Sequence, residues 1–249
     1  MKPDVATRVM EELALVRDPE VDQPITDMGF IREVEVQPGT AGPRVVVHLQ
    51  LPTYFCAPNF TWLMVDDARR AAERIVGAGR VSVELDDHFE ADRISGSVTR
   101  GESFGSAFGT GTEDLDILRD RFLRKAFLIR QELLCREVEA ELTEASTAEV
   151  LTSLTLGRVE SLDLPAFTSY RTTREELGID CRHNSPFLVA ADGCPVDPAR
   201  LRVHRRSAGV MAISFEGNGH LCRSLLAERV SARPHHRAIP IHDTRGAVA

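Results

Sequence analysis

Arg44-Val-Val-Val-His-Leu-Gln-Leu51 is rich in β-branched residues and runs straight into Pro52-Thr-Tyr-Phe-Cys56-Ala-Pro-Asn59. The first stretch reads as a buried strand and the second, with two prolines, as a loop that cannot extend it. Apolar residues then recur at helical spacing from Phe60 to about Val76, with Asn59 as the expected N-cap and Gly77 and Gly79 as the stop. A strand, a loop and a helix in this order place Cys56 beside a helix N-terminus.

Working outward, Phe30-Ile-Arg-Glu-Val-Glu-Val36 alternates like a strand, and Gly39 to Pro43 turns it back toward Arg44. Val5, Val9, Leu13 and Val16 mark an earlier amphipathic helix that stops before Pro19. Downstream, Arg80-Val-Ser-Val-Glu-Leu85 supplies a third strand. The fold class is therefore α/β in the α+β sense: a helix-strand-strand-helix-strand sandwich within residues 1–95, followed by a long helix and a mixed C-terminal region.

Residues 96–112 are rich in glycine and serine and read as a flexible loop, with Thr110 and Glu113 spaced as a capping box. Leu115, Leu118, Phe122, Ala126, Ile129 and Leu133 then predict an amphipathic helix over 113–142. A second capping pattern, Ser146 to Glu149, opens a short helix ending near Gly157, so residues 113–157 form a helical segment. Residues 158–232 read as mixed α+β, with strands expected at Phe187–Ala190, Leu201–Arg205 and Gly209–Phe215 and a closing helix at His220–Val230. Residues 233–249, with His235, His236 and His242, read as a tail.

Composition narrows the function. Hydrophobic residues make up 43% and charged residues 27%, which excludes global disorder. No apolar run approaches the roughly 20 residues that span a bilayer, and no apolar leader follows Met1, so a cytoplasmic protein is expected. Five cysteines without a secretion signal read as free thiols or metal ligands rather than disulfides. The net charge of −8 is unevenly spread: residues 199–249 hold nine Arg against three acidic residues. With Phe215 as the one aromatic there, this basic end suits protein docking, or packing on the acidic remainder, better than nucleic acid. Lys2 and Lys125 are the only lysines, and no phosphate loop, nucleophile elbow or His-Glu-x-x-His motif is present.

A thiol near a helix N-terminus meets the positive end of the dipole, which favours the thiolate, so Cys56 is the leading candidate for chemistry. Its bland alternative is a half-buried cysteine that fills space. Cys181-x-His183, Cys194 and His220-x-Cys222 form a second candidate set, suited to zinc, iron or a cluster by ligand softness. There, Gly217-Asn-Gly219 is expected to open a helix with Cys222 in its first turn. Asp86, Asp87, His88, Glu90 and Asp92 offer oxygen and nitrogen ligands for iron, though such a strand end is more often a solvated edge. Cys135, inside the long helix, is expected in the core.

Taken in order, Asp18-Pro19-Glu20, Ile25-Thr-Asp27-Met-Gly29-Phe-Ile31, Val34-Glu-Val36 and the Cys56 loop resemble the metal–sulfur cluster assembly family that includes the SufT-like and PaaD-like proteins. The resemblance covers about residues 5–90. It implies a Cys56 contact to iron or an iron–sulfur cluster, with zinc as the alternative. Asp27 and Gly29 would shape the turn into the first strand, while Glu20 is either a cap or a metal contact. The chain departs from the family pattern at Cys56-Ala-Pro58, where the family has Cys-Pro, and at Asp87-His88-Phe89, where Pro-x-Trp is usual. The residues beyond this domain have no counterpart in the short members. Similar extended proteins accompany bacterial soluble diiron monooxygenases, which implies a hydroxylase as the protein client.

One cysteine cannot hold a cluster that wants four ligands, so either a homodimer pairs two Cys56 thiols or the second half contributes. The reading is a maturation or assembly factor, more a carrier than an enzyme. Two alternatives stand beside it: a cysteine-dependent enzyme using Cys56 or Cys222 as nucleophile, and a metal-free adaptor or chaperone.

Overall fold

The structure is a computed structural model that describes residues 4–40, 42–109, 115–142 and 147–232. Helix α1, Val5–Leu13, is capped by the Asp4 carboxylate, which accepts from the Thr7 amide at 2.8 Å, and buries Val9 and Leu13. The chain then makes a miniature hairpin, β1 (Arg17–Asp18) against β2 (Gln23–Pro24), closed around Asp22 at φ +51°. Gly29, at φ +75°, turns it into the main sheet, a conformation that costs a side chain and suits glycine.

β3 (Ile31–Gln37) pairs antiparallel with β4 (Arg44–Gln50), and β4 pairs parallel with β5 (Val81–Asp86). The sheet order is β3-β4-β5. A parallel neighbour needs a crossover, and α2, Pro58–Val76, supplies it. Alternation along β4 sends Val45, Val47 and Leu49 into a core with Val9, Leu13, Val65, Ala68 and Ala72. His48 lies on the opposite face, 3.3 Å from Glu35 on β3 and 3.7 Å from Glu84 on β5.

Helix α2 begins two residues earlier than expected. Its N-cap is Ala57, with no side-chain cap, and Asn59 lies within the first turn. Pro58 explains the difference: at the first helical position its fixed φ is already helical and it has no N–H to leave unsatisfied. The glycine- and serine-rich stretch is also corrected, because α3 (Ala91–Thr99) and α4 (Phe104–Phe108) stand where a loop was expected. Ile94 and Val98 bury one face of α3, and the Phe104 and Phe108 rings meet Trp62 at 5.5 and 6.2 Å. Spacing of four between apolar residues outweighs the low helix propensity of the residues between them. The Thr110–Glu113 capping box lies outside the described residues.

A second core follows. Helix α5, Leu115–Glu141, packs on α8, Phe167–Glu176, and is joined by α6 (Ala148–Ser153) and α7 (Leu156–Glu160). Thr147 caps α6 by accepting from the Val150 amide; Ser146, the expected cap, lies outside the described residues. Phe127, Leu134, Cys135, Tyr170 and Phe187 fill this core. Arg174, 1% exposed, is buried there with its guanidinium on the Tyr170 hydroxyl at 2.7 Å and on the carbonyls of Asp180, Pro186 and Phe187. The strand expected at Phe187–Ala190 is reduced to isolated bridges, Val189 with Pro195 and Thr155 with Pro186.

The largest correction concerns residues 201–232. Two strands and a short helix were expected; a 3-10 turn at Pro198–Arg200 instead opens one helix, α9, Leu201–Ala232. Gly209, Gly217 and Gly219 each cost roughly 1 kcal/mol relative to alanine in a helix, and packing overrides them. At Gly219 the absence of a side chain is used: a Cβ would stand 2.6 Å from Nε2 of Gln23. At its start α9 contributes Leu201 to the second core, and near its end Leu226 to the first. Arg205, between these, pairs with Glu132 at 2.7 Å and Glu139 at 2.5 Å, so part of the basic end packs on two acidic side chains of α5. No helix of the described residues is long and apolar enough to cross a membrane.

Candidate functional site

The loop between β4 and α2 is held at both ends. Leu51, fully buried, begins it, and its carbonyl accepts from the Arg229 guanidinium of α9 at 2.7 Å. Cys56 ends it, and its carbonyl accepts from Nε2 of His88 at 2.8 Å. The Glu90 amide donates to Nδ1 of the same ring at 3.1 Å, which fixes the neutral tautomer with its proton on Nε2. Burial pushes the His88 pKa below its usual value, in keeping with that tautomer. Both ring nitrogens are therefore used, and His88 is a clamp on the loop rather than a free iron ligand.

The Cys56 thiol is half-buried, 3.3 Å from the Thr53 hydroxyl, two residues before the first residue of α2. Beside it three aromatic rings cluster on the surface: Tyr54 meets Phe55 edge-on at 4.9 Å, and Phe55 and Phe89 lie tilted at 5.9 Å. Phe55 is 75% exposed. Exposed aromatics in contact with one another form an apolar surface patch.

Helix α9 covers the other side. Gly219, Cys222, Arg223, Leu226 and Arg229 recur at three- and four-residue spacing and so share one face. Each of Cys222's neighbours on that face has a partner in the first domain. Arg223 donates to Oε1 of Gln23 and meets the Met28 sulfur at 3.4 Å, Leu226 lies against Gly29, and Arg229 binds Leu51 and both the carbonyl and carboxylate of Asp87.

Cys222 itself is half-buried against the first core, as Cys56 is. Burial pushes its thiol up to about 11, and the charges of Asp18, Cys56 and Glu20 push in the same direction. Asp18, directly across the hairpin from Gln23, accepts from the Glu20 amide at 2.8 Å and is buried, which pushes its carboxyl up to about 6. Three of the residues singled out in the sequence, Asp18, Glu20 and Cys56, thus stand within electrostatic reach of Cys222.

The remaining candidates lie elsewhere. Cys222 is not in a first helical turn but deep within α9, which corrects the dipole argument made for it. Cys181 packs at the edge of the second core, with its thiol on the Ile179 carbonyl at 3.2 Å. His183 is exposed near Glu160 at 3.6 Å, Cys194 is exposed in the Asp192 turn, and the exposed His220 faces Arg223 at 3.2 Å. Asp27 is exposed and touches Thr26. Asp86 pairs with Arg32 at 3.0 Å and Asp87 with Arg229, so that strand end is tied into ion pairs. Cys135 is fully buried, which pushes its thiol up to about 12. Among the described residues no three His, Cys, Asp or Glu side chains form a group that could hold a metal ion. His235, His236 and His242 lie outside the described residues.

What this geometry defines is a small α+β domain presenting a clamped thiol loop. Residues 6–85 match the family model described as "Iron-sulfur cluster assembly protein", a span from α1 through β5 that contains Asp18, Glu20 and Cys56. That match supports an iron–sulfur-assembly-like family for the first third of the chain. No curated protein and no solved structure matches the chain.

Sequence reasoning singled out Cys56 but not the contacts that hold its loop. Thr53 and Arg229 carried no motif signal. Arg229 becomes legible only when 201–232 is read as one helix, because its spacing from Gly219 and Leu226 then places all three on one face.

Proposed function

We propose that the chain acts in iron–sulfur cluster assembly or in maturation of a metal centre, as a carrier that contacts iron or a cluster through Cys56. The observation that carries this reading is a half-buried thiol on a doubly clamped loop, within the stretch that matches an assembly family. Iron is the cargo in this reading, in keeping with the open ligand set of the described residues. An open site suits transfer, since an acceptor can add its own ligands without first displacing four.

The surface rings of Tyr54, Phe55 and Phe89 give a protein client a place to dock beside the thiol; the hydroxylase of a diiron monooxygenase is the client proposed. The enzyme alternative loses its base at this loop, because both nitrogens of His88 are engaged. Anaerobic reconstitution of the full chain with ferrous iron and sulfide tests the proposal. Iron is expected on the wild type and is expected to fall severalfold in Cys56→Ser. Equal iron on both proteins, or none on either, would defeat it.

A further inference from the structure

We infer that Cys222 is the intramolecular partner of Cys56, and that the two thiols form an open two-sulfur half-site for one thiophilic metal ion, an iron of the cargo. This inference rests on the assembly reading above and deepens it: the second ligand comes from the same chain, not from a second copy.

The geometry points this way on three counts. Of the five cysteines, Cys56 and Cys222 are the two that pack on the first core, while Cys135 and Cys181 belong to the second and Cys194 is exposed in a turn. Cys222 sits in the middle of the one face of α9 that touches the first domain, between Gly219 and Arg223 on Gln23 and Leu226 on Gly29. The same helix face also fixes the opposite thiol. Arg229 holds Leu51 at the start of the Cys56 loop and Asp87 next to His88, and His88 holds the Cys56 carbonyl at its end. One helix therefore brings the second sulfur and anchors the first.

Charge favours a cation here. The buried carboxyl of Asp18 lies across the hairpin from Gln23, which meets Gly219 and Arg223, so an acidic group stands on the side of α9 that carries Cys222. Binding forms two sulfur–metal bonds and releases two thiol protons to water, with no change of oxidation state. Soft thiolates select iron, zinc or cobalt over magnesium and calcium. Because no third His, Cys, Asp or Glu among the described residues closes the group, the remaining coordination positions are left to the sulfide or protein ligands of cargo and acceptor.

The test is an anaerobic titration of the reduced full chain with Co2+, read by sulfur-to-cobalt charge transfer in the near ultraviolet. The wild type is expected to bind one Co2+ per chain as a monomer. Cys222→Ser and Cys56→Ser are each expected to lose about half the charge-transfer intensity and to bind about tenfold or more weakly, at least the loss seen when an outer partner of a ligand is removed.

If Cys56→Ser loses the signal while Cys222→Ser behaves as the wild type, the pairing is overturned and the assembly reading survives; a cobalt-dependent dimer would then identify a second Cys56. If neither substitution changes the signal, or the wild type binds nothing, both fall. A measurement on the unmutated protein guards against misfolding of the variants. Dibromobimane, which fluoresces on bridging two neighbouring thiols, is expected to yield a cross-linked peptide pair containing Cys56 and Cys222, and absence of that pair would overturn the inference.

Discussion

The Cys56 carbonyl receives its 2.8 Å hydrogen bond from a histidine 32 residues away, across the parallel crossover that separates β4 from β5. A parallel pair of strands brings the ends of both to the same edge of the sheet, and the loop after β4 and the turn after β5 meet there. His88 is the bolt between them.

Replacing His88 by Ala leaves the Cys56 carbonyl and the Glu90 amide without partners. The expected cost is about 1–3 kcal/mol in urea unfolding. Loosening the loop should also speed alkylation of Cys56 by iodoacetamide several-fold, measured by mass spectrometry on the native protein. Unchanged alkylation would show that the bolt does not restrain the thiol.

Asp18 predicts a pH-dependent stability. Its carboxyl ionises near 6 in the fold and near 3.8 when unfolded, chiefly because it is buried. The unfolded state therefore gives up its proton more readily, and folding stability falls as pH rises from about 4 to about 6. Above that window the penalty reaches about 3 kcal/mol at most. Asp18→Asn keeps an oxygen for the Glu20 amide and removes the charge. It should be more stable than the wild type by about 1–3 kcal/mol at pH 7.5, with the gap closing near pH 4. A gap independent of pH would contradict this account.

Arg229 joins α9 to the first domain through Leu51 and Asp87. Arg229→Ala should free the last turns of the helix, so that amide exchange over residues 222–232 quickens at least tenfold while the β3-β4-β5 amides stay protected. Exchange that rises uniformly across the chain would mean a global loss and not a local detachment.

In the second core, Arg174→Lys retains the charge but lacks the fork that reaches several acceptors at once. A loss of about 3 kcal/mol or more is expected, because the carbonyls of Asp180, Pro186 and Phe187 lose donors in a buried place. If the two cores unfold separately, near-ultraviolet signals of Tyr170 and Trp62 will show different midpoints, with the Tyr170 midpoint lowered.

The first domain was legible because its signals are local. Period-two runs such as Val45, Val47 and Leu49, period-four runs such as Val9 and Leu13, and the Pro52 break after β4 each act within a few residues. Residues 201–232 were not, because three glycines and β-branched Val203, Val210 and Ile213 speak against a helix that is decided by contacts made to Gln23, Glu132 and Leu51 elsewhere in the chain. The same limit hid the site. Cys56 stands out by its place at a strand–helix junction, but no spacing rule relates it to a cysteine 166 residues later. What connects them is a helix face, visible only once the helix is whole.

That late helix sets a schedule. A ribosome delivers the thiol loop and its sheet first, and they can collapse onto α1 and α2 while most of the second core is still unmade. Cys222 arrives near the end of the described chain, on a helix roughly 48 Å long whose start must first seat on the second core. On the pairing proposed above, a nascent chain that stops short of α9 owns one sulfur of the pair and cannot chelate; a chain that includes α9 owns both. Cargo is then refused until α9 has been made and seated on both cores, and the order of residues along the chain serves as a proofreading step for loading.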